Sequence, residues 1–229
     1  MTKAAGAANL PAPPIVPWME FQNQEMWEKA LPLGRKVLWK GKSCIQRPGD
    51  DVTSIFLIRE GVIKVSATST EGVQRTLWFM GPGSILGEAA LFAGQKNTHY
   101  IDAVEDCVAY EFSRSNVVDR LLVDHPDLGE ALLTNLATKS YIMSTQVEES
   151  TFLSAYRRIC RFFYGLCLSR NSRQISLSHS VIADLLGLHR VTVSNAIGDL
   201  KRRGLLEERG HDLVVADIEA IAAFINSDI

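Results

Sequence analysis

Ser178 to Arg203 reads SHSVIADLLGLHRVTVSNAIGDLKRR, and the rest of the chain is placed around it. Val181, Ile182, Leu185 and Leu186 fall at helical spacing, with Ser178 ahead of them as an N-cap. Gly187 follows the last periodic residue, where a left-handed C-cap costs glycine least. A second helix opens at His189 or Arg190 and runs past Leu200. Its Val193, Ala196, Ile197 and Leu200 share one face, which must pack on the first helix. At about 100° per residue, Val191, Asn195, Gly198 and Arg202 point the other way. Ala183, Gly187 and Val193 stand where a helix-turn-helix needs close approach, a turn and a core anchor. An ordinary helical hairpin is the plainer alternative.

The neighbouring sequence favours the first reading. LLEERGHDLVV carries two apolar strands around Gly210-His211, a β-hairpin directly after the second helix, as in a winged helix. From Arg157 to Arg203 nine Lys or Arg stand against Asp184 and Asp199, a formal +7 in a chain of −2. A basic block in a mildly acidic chain is the layout of a domain that meets phosphate, and double-stranded DNA is the expected partner. Ser178, His179 and Lys201 suit phosphate positioning, whereas Arg190 and Ser194 reach bases or phosphates. Val191 can touch a thymine methyl, and Asn195 suits adenine. His189, Thr192 and Arg202 complete the expected DNA-contacting set.

The 229 residues, 46% hydrophobic, have room for two ordinary domains. No apolar run approaches the roughly 18 to 20 residues of a membrane span, so no membrane partner is expected. The N-terminus lacks the charged-then-apolar pattern of a signal peptide, which implies a cytoplasmic protein. Cys44, Cys107, Cys160 and Cys167 form no close ligand pair, so no metal site is expected.

Residues 1–17, ending in PAPPIVP, read as a flexible arm. Trp18 to Leu31 reads as a short amphipathic helix with Met19, Met26 and Trp27 on its apolar side. From Leu33 to Phe112 the text is β: KVLW, SIFLIRE, VIKVSAT, RTLWFM and CVAYEF alternate with RPGDD, EG, TEG and GPG. Many short strands with no long helix argue a barrel or roll spanning residues 18–124. Within it, Gly87-Glu88-Ala89-Ala90-Leu91-Phe92 looks like a strand end leading into one helical turn. Free backbone N–H groups there can hold a small anionic or ribose-bearing ligand, although the motif alone is weak. Asn116 to Asp124 reads as a short helix, and Pro126 starts a long one assigned to residues 125–153, with a break near Thr151 to Ser154. Leu128, Leu132, Leu136, Lys139, Ile142, Met143 and Gln146 track a seam at spacings of three and four, expected at a dimer interface. The winged domain occupies 154–229. The fold class is α+β.

This order of roll, GEAALF turn, long helix and winged helix-turn-helix resembles the CRP/FNR superfamily of bacterial transcription regulators. The resemblance covers nearly all of the chain after Leu33. It is similar in particular to the halorespiration regulators that sense chlorinated phenols, through SIFLIREGVIKV, RRICRFFYGLC and LGLHRVTVSNAIGDLKRRGLL. It implies a cyclic-nucleotide-binding-like roll and a homodimer paired through the long helices. It also implies an effector between roll and helix that reorients the DNA-reading domains toward a palindromic promoter, with RNA polymerase as a further partner of an activator.

The departures bear on the effector. Cyclic-AMP receptors continue the phosphate turn into an Arg-Ser pair, where this chain has Asn97 and Thr98, which argues against cyclic AMP. Lys139 matches the ligand-contacting lysine of the chlorophenol sensors, while Glu88 stands where they place a second lysine. Trp78, Phe79 and Tyr100 offer apolar walls near the Glu88 turn. The expected effector site is therefore Trp78, Phe79, Gly87, Glu88, Asn97, Thr98, Tyr100 and Lys139, holding a small aromatic or anionic molecule. Lys139 either waits for that anion or pairs with Glu88. A haem-linked or redox sensor is the alternative within the superfamily, with His99 the sole histidine of the roll. A cyclic-nucleotide module serving a kinase or channel would not need the basic winged domain. No Ser-His-Asp order, Walker loop or H-E-x-x-H is legible, so no enzyme activity is expected.

Overall fold

The computed structural model describes residues 18–19, 24–71 and 74–226. The expectations for the 1–17 arm, for residues 20–23 and for a corner at Gly72 lie outside these residues. The chain divides into two compact units, Pro17–Ser144 and Thr145–Ile229, and the division falls inside the long helix rather than at either end of it.

The first unit contains β1 (Trp18–Met19), β2 (Arg35–Trp39), β3 (Cys44–Gln46), β4 (Ser54–Glu60), β5 (Ile63–Thr68), β6 (Gln74–Met80), β7 (Ile85–Leu86), β8 (Tyr100–Ala103) and β9 (Cys107–Ser113). They form a five-stranded sheet, β1-β6-β5-β8-β3, and a four-stranded sheet, β2-β9-β4-β7. The pleat sorts side chains cleanly. Ile63, Val65, Trp78, Met80, Ile101 and Ala103 lie in register across β5, β6 and β8, and all are buried. Lys64, Phe79, Tyr100 and Asp102 alternate with them and stand partly exposed.

Trp18 to Leu31 is not one α-helix. Trp18 and Met19 pair in parallel with Phe79 and Met80, and Gln24–Leu33 is a 3-10 helix containing Pro32. Pro32 lies in its last turn, where its ring withholds one backbone donor. Trp27 and Ala30 from this segment join Ile55, Leu57, Ile85, Leu91 and Phe112 in the core.

Helix α1 (Glu88–Ala93) is the expected turn. Gly87 before it has φ 91°, and a Cβ there would lie 2.9 Å from the Ser54 carbonyl oxygen, so glycine is required twice over. Residues Asn116–Leu121 wind as a π-type segment into α2 (Leu122–Asp124). Pro126 then opens α3 (Pro126–Phe152), at the helix position where its missing N–H costs nothing.

The seam expected on α3 faces inward. Leu128 and Leu132 belong to the roll's own core, and Ile142 is buried too. Lys139 turns to the roll, while Leu136 and Gln146 are half-buried and Met143 flanks this face. The outward stripe is Leu133, Tyr141 and Val147, exposed by 68%, 64% and 60%. With Ala137, Ser140 and Ser144 they occupy the opposite side of the helix at about 100° per residue. The inward stripe completes the roll's core, and the outward one stays exposed.

The second unit contains α4 (Ala155–Arg170), β10 (Gln174–Ile175), α5 (His179–Leu186), α6 (Arg190–Arg202), β11 (Leu206–Arg209), β12 (Asp212–Val215) and α7 (Ile218–Asn226). The break after Phe152 is sealed by Ser154, whose hydroxyl accepts from the Arg157 N–H. The hairpin is one part of a three-stranded wing, β10-β12-β11. Cys160 and Cys167 are buried, and burial pushes the Cys160 thiol up to about 12. Among the described residues no helix is long and apolar enough to cross a membrane.

Candidate DNA interface and effector site

The helix-turn-helix forms as its spacing dictates. The Ser178 hydroxyl accepts from the Val181 N–H, and Gly187 caps α5 in the left-handed region at φ 60°. His189 is extended and stands ahead of α6. Val193, Ala196, Ile197 and Leu200 are buried, which fixes the opposite face outward. On that face Val191 is 70% exposed, and Arg190, Asn195 and Arg202 are exposed with it. Thr192 and Ser194 are half-buried at the edge.

Several expected phosphate contacts already have protein partners. Lys201 pairs with Glu208 of the wing, and Arg202 reaches Asp199 at 3.1 Å. His179 Nδ1 lies 2.9 Å from Ser194 Oγ, tying the start of α5 to the exposed side of α6. Burial, then the charges of Lys201 and Arg190, hold the His179 imidazole below its usual pKa. Arg190 has no ion-pair partner among the described residues.

One cluster escaped the sequence reading. The Tyr156 hydroxyl donates to Asp199 Oδ2 at 2.9 Å, and Arg203 donates to the same oxygen at 2.7 Å. The Tyr156 and Phe224 rings pack at 4.9 Å between centroids, and the Arg203 guanidinium lies over Phe224. The Tyr156 bond first, then Arg203 and Arg202, hold the Asp199 carboxyl below the usual range. Asp199 is the sole acid on α6, three and four residues before Arg202 and Arg203; that spacing was the available signal.

In the roll, the expected effector residues do not form one surface. Trp78 points into the buried face, whereas Phe79 and Tyr100 belong to the alternate face. Adjacent residues of a strand cannot share a side. Asn97 is buried and its amide is committed, donating to the Arg47 carbonyl at 2.9 Å and to that of His99. It braces a turn and is not free to receive a ligand. Thr98 is exposed, with Oγ1 3.1 Å from His99 Nδ1.

Glu88 and Lys139 do meet. Glu88 is 1% exposed; it accepts from Lys139 Nζ and, at 3.1 Å, from Asn135 Nδ2. Lys139 Nζ also donates to the Ile85 carbonyl at 2.7 Å. Burial lowers the Lys139 pKa, and the Glu88 charge opposes that shift. Of the two sequence readings, Lys139 in this state pairs with Glu88. Asn135 was missed, although it lies four residues before Lys139 on one helical face.

Comparison with known proteins follows the same division. The cyclic nucleotide-binding domain matches residues 36–123, and the Crp-like helix-turn-helix domain matches residues 157–224. The global nitrogen regulator of Synechococcus elongatus is 26% identical over 191 residues, covering 80% of this chain and 86% of that protein. The cAMP-activated global transcriptional regulator CRP of Haemophilus influenzae is 27% identical over 184 residues, covering 77% and 82%. The structure of CprK complexed with OCPA superposes with a TM-score of 0.78 at 25% identity, over 91% of this chain and 97% of that one. With both domains matched in this order and a single architecture shared across most of its length, the chain belongs to the CRP/FNR family of transcription regulators.

Proposed function

We propose that the protein is an effector-responsive regulator that binds an inverted-repeat promoter site as a homodimer. The observation that carries this is α6: four buried residues lock it, and Arg190, Val191, Asn195 and Arg202 are exposed on the other side. Such a helix fits a major groove, with asparagine reading adenine and valine meeting a thymine methyl. The apolar stripe of α3 at Leu133, Tyr141 and Val147 is the surface we assign to dimer pairing.

The effector site we assign centres on Glu88, Asn135 and Lys139, where the α1 turn meets α3. Removing one partner of a buried ion pair leaves an uncompensated charge, so a ligand enters only by offering Lys139 a replacement anion. Trp78 lies on the buried face of the same roll and suits an aromatic body. CprK has been solved in complex with o-chlorophenolacetic acid, which has both features. Cyclic AMP fits poorly, because Asn97 and Thr98 supply no cation for a cyclic phosphate.

The test is fluorescence anisotropy of the protein's own upstream promoter fragment, with and without o-chlorophenolacetic acid or cyclic AMP. The acid is expected to change the affinity of the wild type and not of Lys139→Met, which still dimerises and binds DNA basally. An identical response in both proteins removes Lys139 from the site.

A further inference from the structure

The outward stripe of α6 is bracketed by two hydrogen bonds that tie the helix to its neighbours. At about 100° per residue, Val191, Asn195, Gly198 and Arg202 centre on one line along the helix. Ser194 falls about 70° to one side of that line and Asp199 about 70° to the other. Ser194 Oγ stands 2.9 Å from His179 Nδ1 at the start of α5. Asp199 Oδ2 accepts, also at 2.9 Å, from the hydroxyl of Tyr156 in the first turn of α4.

The Asp199 flank is held more firmly. Arg203 donates to the same oxygen at 2.7 Å, and Arg202 donates to Oδ1 at 3.1 Å. The Tyr156 ring packs on Phe224 of α7, which fixes where its hydroxyl points. Burial first, and the Asp199 bond next, raise the Tyr156 pKa above its usual value, so the hydroxyl donates throughout the neutral range. Rotation of α6 about its axis is what such bonds control. Val193, Ala196, Ile197 and Leu200 hold the helix by apolar contact, which is non-directional, whereas a hydrogen bond weakens steeply with angle. Side-chain tips lie about 5–6 Å from a helix axis, so a turn of about 10° carries them about 1 Å. A bidentate asparagine–adenine contact tolerates about half of that.

We propose that Tyr156 is a positioning residue that sets base specificity without touching DNA. Through Asp199 it holds one flank of α6, opposite His179 at Ser194, at the rotation where Asn195 meets a base. Asp199 has a second, electrostatic effect, since it occupies Arg202 next to the stripe. The inference rests on α6 being the base-reading helix.

The experiment is fluorescence anisotropy of the full-length protein on its own upstream promoter fragment and on a scrambled duplex of equal length, across a salt series. Tyr156→Phe keeps the ring on Phe224 and removes only the hydroxyl. It lowers the ratio of the two affinities roughly threefold to tenfold, the reach of one hydrogen bond, and leaves scrambled-duplex affinity and salt slope unchanged. Asp199→Asn keeps an oxygen for Tyr156 and releases Arg202. It retains the ratio, strengthens binding to both duplexes and steepens the log–log salt slope by about one. Asn195→Ala separates the two ways of failing. Loss of discrimination in Asn195→Ala with none in Tyr156→Phe overturns the positioning role, as does equal weakening of both duplexes by Tyr156→Phe. No loss in either variant overturns the base-reading role of α6 and this inference with it.

Discussion

Glu88 and Lys139 place two charges inside an aliphatic roll, an arrangement that holds only while both remain. Lys139→Met leaves Glu88 buried with Asn135 as its remaining side-chain donor, and should cost about 3 kcal/mol of stability in chemical denaturation. Glu88→Gln combined with Lys139→Met should cost clearly less than the sum of the single changes; strict additivity would mean that the pair is not coupled. His179 supplies a pH prediction. Its folded pKa lies below the usual value of 6.5, so on acidification the unfolded chain takes up the proton first. Stability from this residue is complete above 6.5 and falls as pH drops toward the folded value. Thermal melts of wild type and His179→Gln should therefore diverge at neutral pH and converge in that acidic window. Individual caps such as Ser178 and Gly187 were legible because their signals are local. Asn97 was not, since its partners at Arg47 and His99 depend on how a distant turn folds back.

At the scale of elements, α3 shows where periodicity stops informing. The helix carries two apolar stripes, and spacing alone does not say which one meets the roll. Leu128, Leu132 and Ile142 pack inward, whereas Leu133, Tyr141 and Val147 are left outside. Val147→Glu should therefore shift the protein toward monomer in sedimentation velocity at micromolar concentration without loss of helix. Leu128→Ala should leave association intact and destabilise the roll by about 2–5 kcal/mol, the range for a truncated core leucine. The reverse pattern would restore the inward seam as the dimer contact. Strands β4, β5, β6 and β9, of six or seven residues, were readable as β-rich runs between Gly, Pro and Asp turns. Strands β3, β7, β8 and β10 have two to four residues, too few to display a period, and each is defined by the strands it pairs with.

Across the whole molecule, the basic block located the DNA-reading unit without saying which cations remain available. Arg161, Lys201, Arg202 and Arg203 each have a carboxylate partner. The Arg161–Glu149 pair is half-buried, whereas the more exposed pairs of Lys201, Arg202 and Arg203 are worth about 0–1 kcal/mol and can exchange toward phosphate. Arg190 starts with no such partner. Arg190→Ala should weaken binding to every sequence alike and reduce the log–log salt slope by about one. The central claim is that α6 reads bases through Asn195. Its most direct test is anisotropy against an inverted repeat in which each base pair is varied in turn, for wild type and Asn195→Ala. The variant should lose discrimination at one symmetric pair of positions, by about 1–3 kcal/mol, and keep its non-specific affinity. Unchanged preference at every position in Asn195→Ala would contradict it.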